Sequence, residues 1–202
     1  MKSGNLKRAI PHLKKADPKL SALLTEIEAP KIRLHKNYFK ALVGAIISQQ
    51  LSDKAAATIM NRFKALYPED DFPTPNQVLK TRISKIRQAG VSAAKANYIK
   101  GVASAIYEGK IDFSLIKRLS DDEVIAELTK LKGIGVWTAE MFLIFSLGRE
   151  DVFSAGDLGL KNAIKRLYGL KKEPDRKKLH RIALRWQPYR SYASLYLWAS
   201  LR

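Results

Sequence analysis

The sequence predicts an all-α protein, and three observations carry that reading. Apolar residues recur at spacings of three and four, as in Phe39, Leu42, Val43, Ile46 and Ile47. Helix-start signals repeat. Thr74-Pro75-Asn76-Gln77 and Ser120-Asp121-Asp122-Glu123 both have the form in which an N-cap hydroxyl and the residue three places on satisfy each other's backbone N–H. No stretch reads as a convincing strand, and there is no repeat and no low-complexity segment.

Residues 1–15 are basic and read as helix. Asp17-Pro18 supplies an N-cap and a proline at the first helical position, opening a short helix to about Ile27 that Ala29-Pro30 ends. Lys31 to His35 form a connector. The stripe from Asn37 predicts an amphipathic helix to about Ser48, after which Gln49, Gln50 and Leu51 break the apolar run. Ser52 to Tyr67 is the next helix, with Ala55, Ile59, Phe63 and Leu66 on one face. Pro68 to Pro75 is a loop. A helix starts at Thr74, and Ile83 to Ala89 is a short one stopped by Gly90. Ser92 caps a helix from Ala93 to about Glu108, which Gly109 ends. Asp121 to Lys130 leads into a tight turn, and Trp137 to Ser146 follows. That helix is apolar nearly all round, which predicts burial on every side. Gly148 ends it. The loop Arg149 to Gly156 carries Asp157 to a helix over Leu158 to Tyr168. The charge run Lys171 to Lys178 reads as the start of a helix through Arg185. Tyr192 to Leu201 is a buried closing helix.

A chain of 202 residues with 46% hydrophobic content makes one large domain or two small ones sharing a core. Its formal charge of +18 implies a polyanionic partner, most simply nucleic acid. A lipid surface is the alternative, but no long Lys/Arg-rich helix with a clean apolar face stands out. So large a core argues against a simple DNA-coating tail. The absence of cysteine excludes disulfides, thiolate catalysis, zinc ribbons and cysteine-ligated iron–sulfur clusters. His12, His35 and His180 are too scattered for a histidine metal site. Neither a signal peptide nor a membrane span is read, so the expectation is a protein that stays where it is made: cytoplasmic and nucleoid-associated, or nuclear in a eukaryote.

The chain is organised around Leu131-Lys132-Gly133-Ile134-Gly135-Val136-Trp137-Thr138-Ala139. A Gly-x-Gly pair in a helix-friendly run turns the chain sharply and leaves N–H groups at the N-terminus of the following helix. That geometry serves either as a phosphate site or as a plain corner. Gln49 and Gln50 are either a polar C-terminal turn or a wedge. Lys85, Arg87, Lys95 and Lys100 are either a DNA-backbone contact or a solvated face. Asp157 is an N-cap for the helix it precedes, and such a cap also holds a carboxylate in place.

The pattern Leu-x-Gly-Ile-Gly-x-Trp-Thr-Ala-x-Met over 131–141 resembles the helix-hairpin-helix element of the DNA glycosylase superfamily named after it. Further matches are Ile47-Ser48-Gln49-Gln50-Leu51-Ser52 with Lys54-Ala55-Ala56, and Gly90-Val91-Ser92-x-x-Lys95. Asp151-Val152-Phe153-x-x-Gly156-Asp157 and Trp186-x-Pro188-Tyr189-Arg190-Ser191-Tyr192-Ala193 complete the set. Within the superfamily the chain looks like the alkylpurine branch, 3-methyladenine DNA glycosylase II, from about residue 36 to the C-terminus.

The resemblance implies two helical lobes with the active site in the cleft between them. One lobe would be 36–150 and the other 1–35 plus 151–202. It implies hydrolysis of the N-glycosidic bond of alkylated purines (3-methyladenine, 7-methylguanine, 1,N6-ethenoadenine) in double-stranded DNA by a monomer that needs no cofactor and no membrane. Asp157 would be catalytic. Trp137, Trp198 and Tyr38 would form the base pocket, with Tyr189 and Tyr192 as further aromatic candidates. For the tryptophans, plain core packing is the competing role. Gln50 would fill the gap left by a flipped base, Gln49 would support its turn, and Leu51 would sit beside them. Lys132, Gly133, Gly135, Val136, Thr138 and Lys95 would contact DNA. The carbonyls of Thr129, Leu131 and Ile134 would hold Na+ or K+. Relatives that also cut the strand carry a lysine where Trp137 stands, so the chain is expected to be monofunctional. A non-catalytic damaged-DNA-binding module, or a glycosylase for mismatched or oxidised bases, are the alternatives.

Overall fold

A computed structural model describes residues 3–30 and 33–201. Lys31 and Ile32, within the expected connector, and the first two residues of the expected N-terminal helix lie outside them. Among the described residues thirteen α-helices follow one another and no strand occurs. The chain divides into two compact units, His35–Phe142 and Met1–Leu34 with Leu143–Arg202.

The unit His35–Phe142 holds α3 (Tyr38–Ser48), α4 (Asp53–Ala65), α5 (Pro75–Lys80), α6 (Ile83–Gln88), α7 (Ala93–Tyr107), α8 (Phe113–Ile116), α9 (Asp121–Thr129) and α10 (Val136–Phe142). The expected α3 stripe is its core: Phe39, Leu42, Val43, Ile46 and Ile47 are all buried. α7 packs on α3, α5 and α6. Its buried face, Ala96, Ile99, Val102 and Ala103, is short enough for close approach. Both capping boxes form, at Thr74 with Gln77 and at Ser120 with Glu123. α8 was not anticipated. It is a single turn whose only advance signal is Asp112, which accepts the Ser114 N–H as N-cap.

The other unit holds α1 (Ser3–Ala16), α2 (Pro18–Glu26), α11 (Leu158–Tyr168), α12 (Arg176–Ala183) and α13 (Arg190–Ala199). Its core joins Leu13, Leu20, Leu23 and Leu24 to Trp186, Tyr192 and Tyr196. Three expectations shift. The helix after the tight turn begins at Val136, and its last five residues, Leu143–Leu147, wind as a π-helix. The unit boundary therefore falls at 142–143, not at the expected 150–151, because Phe145 already packs on the core of the second unit. Burial on every side fails too, since Val136 and Trp137 are exposed. Finally, Lys171–Pro174 is not helical. α12 starts after Asp175, which caps it through the Lys178 N–H, and Leu184–Trp186 tightens into a 3₁₀ turn.

Asp17 is a buried carboxylate, 1% exposed. Its Oδ1 accepts the N–H groups of Lys19 and Leu20 at 3.1 and 3.2 Å, capping α2. Its Oδ2 accepts from Trp186 Nε1 at 3.2 Å and from the Tyr168 hydroxyl. Burial and this carboxylate hold the Tyr168 phenol well above its ordinary pKa. The donors stand in for the water a buried charge loses. Replacing Asp17 with alanine strands the Trp186 and Tyr168 donors and removes the cap. The expected cost is about 3 kcal/mol, or a fall of about 6–12 °C in Tm by calorimetry.

Candidate active site

The residues leading to Asp157 are fixed by the start of α13. Arg190 makes a two-armed ion pair with Asp151, Nε to Oδ1 at 2.8 Å and Nη2 to Oδ2 at 3.0 Å. The Ser191 hydroxyl accepts the Val152 N–H at 2.9 Å, and the Ser191 N–H reaches the Glu150 carbonyl at 3.0 Å. The Tyr192 hydroxyl donates to Glu150 Oε1 at 2.9 Å, which also receives the Asn5 amide at 2.6 Å. Burial and that carboxylate raise the Tyr192 pKa, so it stays a donor. Phe153 is buried, its ring edge-on to Trp186 at 5.8 Å. A loop tied this closely cannot carry its last residue far from one position.

Asp157 then caps α11. Its Oδ1 accepts the Leu160 N–H at 2.7 Å and the indole N–H of Trp198 at 2.9 Å. The side chain is half-buried. Gly159 makes this geometry possible. A Cβ there would stand 3.0 Å from Asp157 Oδ1 and 3.1 Å from Trp198 Cδ1. The sequence reading did not single out Gly159; its signal was a glycine two places after an N-cap aspartate. The Trp198 ring leans on Phe145, with centroids 5.8 Å apart. Both rings line a cavity of about 600 Å³ with Glu28, Ala29, Pro30, Leu195 and Ala199. That volume suits a small organic ligand such as a purine. One indole thus binds the carboxylate by its edge and walls the cavity with its ring.

A second group lies in the other unit. Gln50 is the one non-glycine residue with positive φ among those described, at 58°, and is exposed. That backbone costs about 1 kcal/mol in an L-residue, so its surroundings hold it there. Lys95 supplies part of the hold. Its Nζ donates to the carbonyls of Ile47 at 2.8 Å and Gln49 at 2.7 Å, at the negative end of α3. Burial lowers its pKa. Gln49 Nε2 donates to the Gly133 carbonyl at 2.8 Å, joining this turn to the helix-hairpin-helix corner. Gly133 has φ +89°, and a Cβ there would meet the Tyr98 ring at 2.5 Å. Gly135 has no positive φ.

The expected site residues thus sort into groups. Asp157 and Trp198 meet. Gln49, Gln50, Gly133 and Lys95 meet, but Lys95 uses its ammonium on carbonyls rather than on a DNA phosphate. Lys100 does likewise, bonding the carbonyls of Leu79 and Thr81 at 2.7 Å. Leu51, Lys132, Gly135, Val136 and Trp137 are exposed. Thr138 is 4% exposed, so its side chain is packed. Tyr38 packs edge-on against Phe113 and Phe142 at 5.2 and 5.4 Å, under Lys117 Nζ. Tyr192 is buried and Tyr189 meets His12 edge-on at 5.3 Å; neither lines the cavity. Among the described residues no cluster of His, Asp or Glu could hold a metal ion.

Residues 43–188 match the family model of the HhH-GPD superfamily base excision DNA repair proteins. The chain is 35% identical over 201 residues to the alkylbase DNA glycosidase-like protein mag2 of Schizosaccharomyces pombe, covering 98% of this chain and 94% of the relative. It is 40% identical over 164 residues to DNA-3-methyladenine glycosylase 1 of the same yeast, covering 81% and 72%. The solved structure of S. pombe 3-methyladenine DNA glycosylase Mag1 in complex with abasic DNA superposes with a TM-score of 0.87 at 36% identity, covering 96% of each chain.

Lys95→Met removes two charge-assisted bonds to the turn. It is expected to cost about 2 kcal/mol, lowering Tm by about 4–8 °C. It should also speed amide exchange at Leu51, whose N–H bonds the Ser48 carbonyl. Lys85→Met, at an exposed position, should change neither.

Proposed function

The chain belongs to the HhH-GPD superfamily of base excision DNA repair proteins, and we propose that it is a monofunctional DNA glycosylase that hydrolyses the N-glycosidic bond of alkylated purines. The observation that carries the reading is the Trp198–Asp157 hydrogen bond, which ties a carboxylate to the indole that walls the cavity.

A base inside a duplex is out of reach, so the target nucleotide is extruded into the cavity. Alkylation at N3 or N7 makes the purine a cation, and the face of Trp198 attracts it. The C1′–N bond then breaks with both electrons going to the base, which departs neutral and needs no general acid. Positive charge is left on the deoxyribose, and the Asp157 carboxylate stabilises it. Water adds to C1′ from the vicinity of the same carboxylate, and its proton passes to Asp157 or to solvent. The Trp198 and Leu160 N–H groups hold the carboxylate in position through this change.

The exposed Gln50 fills the gap in the duplex, on a turn fixed by Lys95 and Gln49. Lys132 and the N–H groups at the start of α10 bind backbone phosphate. The carbonyls of Thr129, Leu131 and Ile134 would hold Na+ or K+, which would bridge to a phosphate. Uncharged oxygens at a glycine turn suit such a cation. Leu131 accepts one bond, from the Ile134 N–H at 3.0 Å, and keeps a second lone pair. No helix among the described residues is long and apolar enough to cross a membrane.

Single-turnover assays on duplex DNA containing 7-methylguanine should show release by the native protein and a loss of about a thousandfold in Asp157→Asn, with DNA affinity retained. Release by both, or by neither, sinks the assignment. Because tryptophan stands at 137, borohydride should trap no covalent protein–DNA adduct; a trapped adduct overturns the monofunctional reading.

A further inference from the structure

The cavity lining contains one charged side chain. Ala29, Pro30, Phe145, Leu195, Trp198 and Ala199 are apolar or aromatic, and Glu28, exposed at the rim, carries the one charge. That is unusual placement in a chain with 37 lysines and arginines against 19 acidic residues.

Helix stability does not account for it. α2 ends at Glu26, with Ile27 as its C-cap, so Glu28 lies just beyond the negative end of the helix dipole. A cation is favoured there and an anion is not. Ion pairing does not account for it either. Among the described residues, no hydrogen bond or salt bridge engages the Glu28 carboxylate, whereas Glu150, Asp151 and Glu173 all have partners. What the position does offer is a negative charge at the rim of a cavity whose wall is an indole.

We infer that Glu28 is a specificity-determining residue that favours cationic bases over neutral ones. The inference rests on the glycosylase reading above. Glu28 is exposed at the cavity rim, so water screens it on one side while the apolar wall excludes water on the other, and its attraction for a purine cation is that of a surface charge pair. The same carboxylate accepts the exocyclic N–H of 3-methyladenine or 7-methylguanine. It finds neither charge nor exocyclic N–H on 1,N6-ethenoadenine, and losing its own water there is an unrewarded cost.

The direction of the kinetic effect follows from where charge sits. The base is fully cationic before the bond breaks and becomes neutral as it departs. Attraction to Glu28 is therefore strongest in the ground state and fades towards the transition state. Such a contact strengthens capture without accelerating bond cleavage. Asp157 does the reverse, since its partner charge appears on the sugar only as the bond breaks. The two carboxylates act on successive locations of one positive charge.

The test is Glu28→Gln, which keeps size and an acceptor oxygen but removes the charge. Single-turnover release of 7-methylguanine is measured against protein concentration, with 1,N6-ethenoadenine DNA in parallel. Ethenoadenine emission reports entry of the neutral base whether or not it is released. The expected result is a rise of about threefold in the half-saturating concentration for 7-methylguanine, with a higher saturating rate and ethenoadenine entry unchanged. Raising the salt concentration should shrink this ratio, because Glu28 is exposed. Equal weakening towards both lesions, a lower saturating rate with unchanged half-saturation, or no effect overturns the inference while leaving the glycosylase reading intact. If the native protein releases 7-methylguanine no faster than Asp157→Asn, it is the glycosylase reading that falls.

Discussion

The bond from the Trp198 indole N–H to Asp157 Oδ1 is the constraint on which the candidate site depends. An aspartate at a helix N-cap is ordinarily satisfied by backbone N–H groups, as Asp175 is by Lys178. Asp157 takes one such bond, from Leu160, and a second from a side chain 41 residues later in sequence. That second bond ties the start of α11 to the end of α13 at the edge of a cavity. Its neighbourhood is built to keep it: Gly159 leaves room for the indole, and the Arg190–Asp151 and Ser191–Val152 contacts fix the approach of the loop. An oriented carboxylate needs no reorganisation when charge develops beside it, which is the source of the rate effect proposed for Asp157.

The other unit uses the same device with opposite sign. There the oriented group is a turn, and the orienting groups are a lysine and an amide. Lys95 holds the carbonyls that α3 leaves unsatisfied at its C-terminus, and Lys100 does the same after α5. Both lysines project from α7, so one helix seals the ends of two others. Gln49 carries the constraint on to the Gly133 carbonyl. Strain at Gln50 is tolerable because the residues on either side of it are held.

This distribution explains what could be read in the sequence. The helices were legible because their signals are local: Asp17, Ser52, Thr74, Ser92, Ser120 and Asp157 each cap the element they precede. Asp157 and Trp198 were legible as candidates through their motif. Their hydrogen bond was not, because spacing says nothing about which side chains meet across 41 residues. Lys95 and Lys100 looked like DNA contacts because a chain of net charge +18 makes every lysine look so. Only coordinates show that two of them face carbonyls inside their own unit. Trp137 defeated the burial expectation because it stands in the first turn of α10, beside the exposed Val136, whereas burial begins at Thr138 and Ala139. Glu28 carries no motif and sits on an irregular segment, where sequence periodicity has nothing to say.

The electrostatics divide by range. The excess of lysine and arginine acts over a distance, drawing in the DNA backbone with a strength that falls as salt rises. That same field opposes a cationic base, which carries the one positive charge in the substrate the protein has to attract. A protein of this charge cannot meet both demands with its mean potential. It can do so if negative charge is confined to the site and shielded there from the positive field outside. The half-buried Asp157 carboxylate, held by the Trp198 indole, is such a charge; Glu28 adds a second, exposed one at the cavity rim. Over a few ångströms even a partly screened carboxylate acts more strongly than surface lysines do across a wider stretch of water, so the local field can favour a cation while the global one favours an anion.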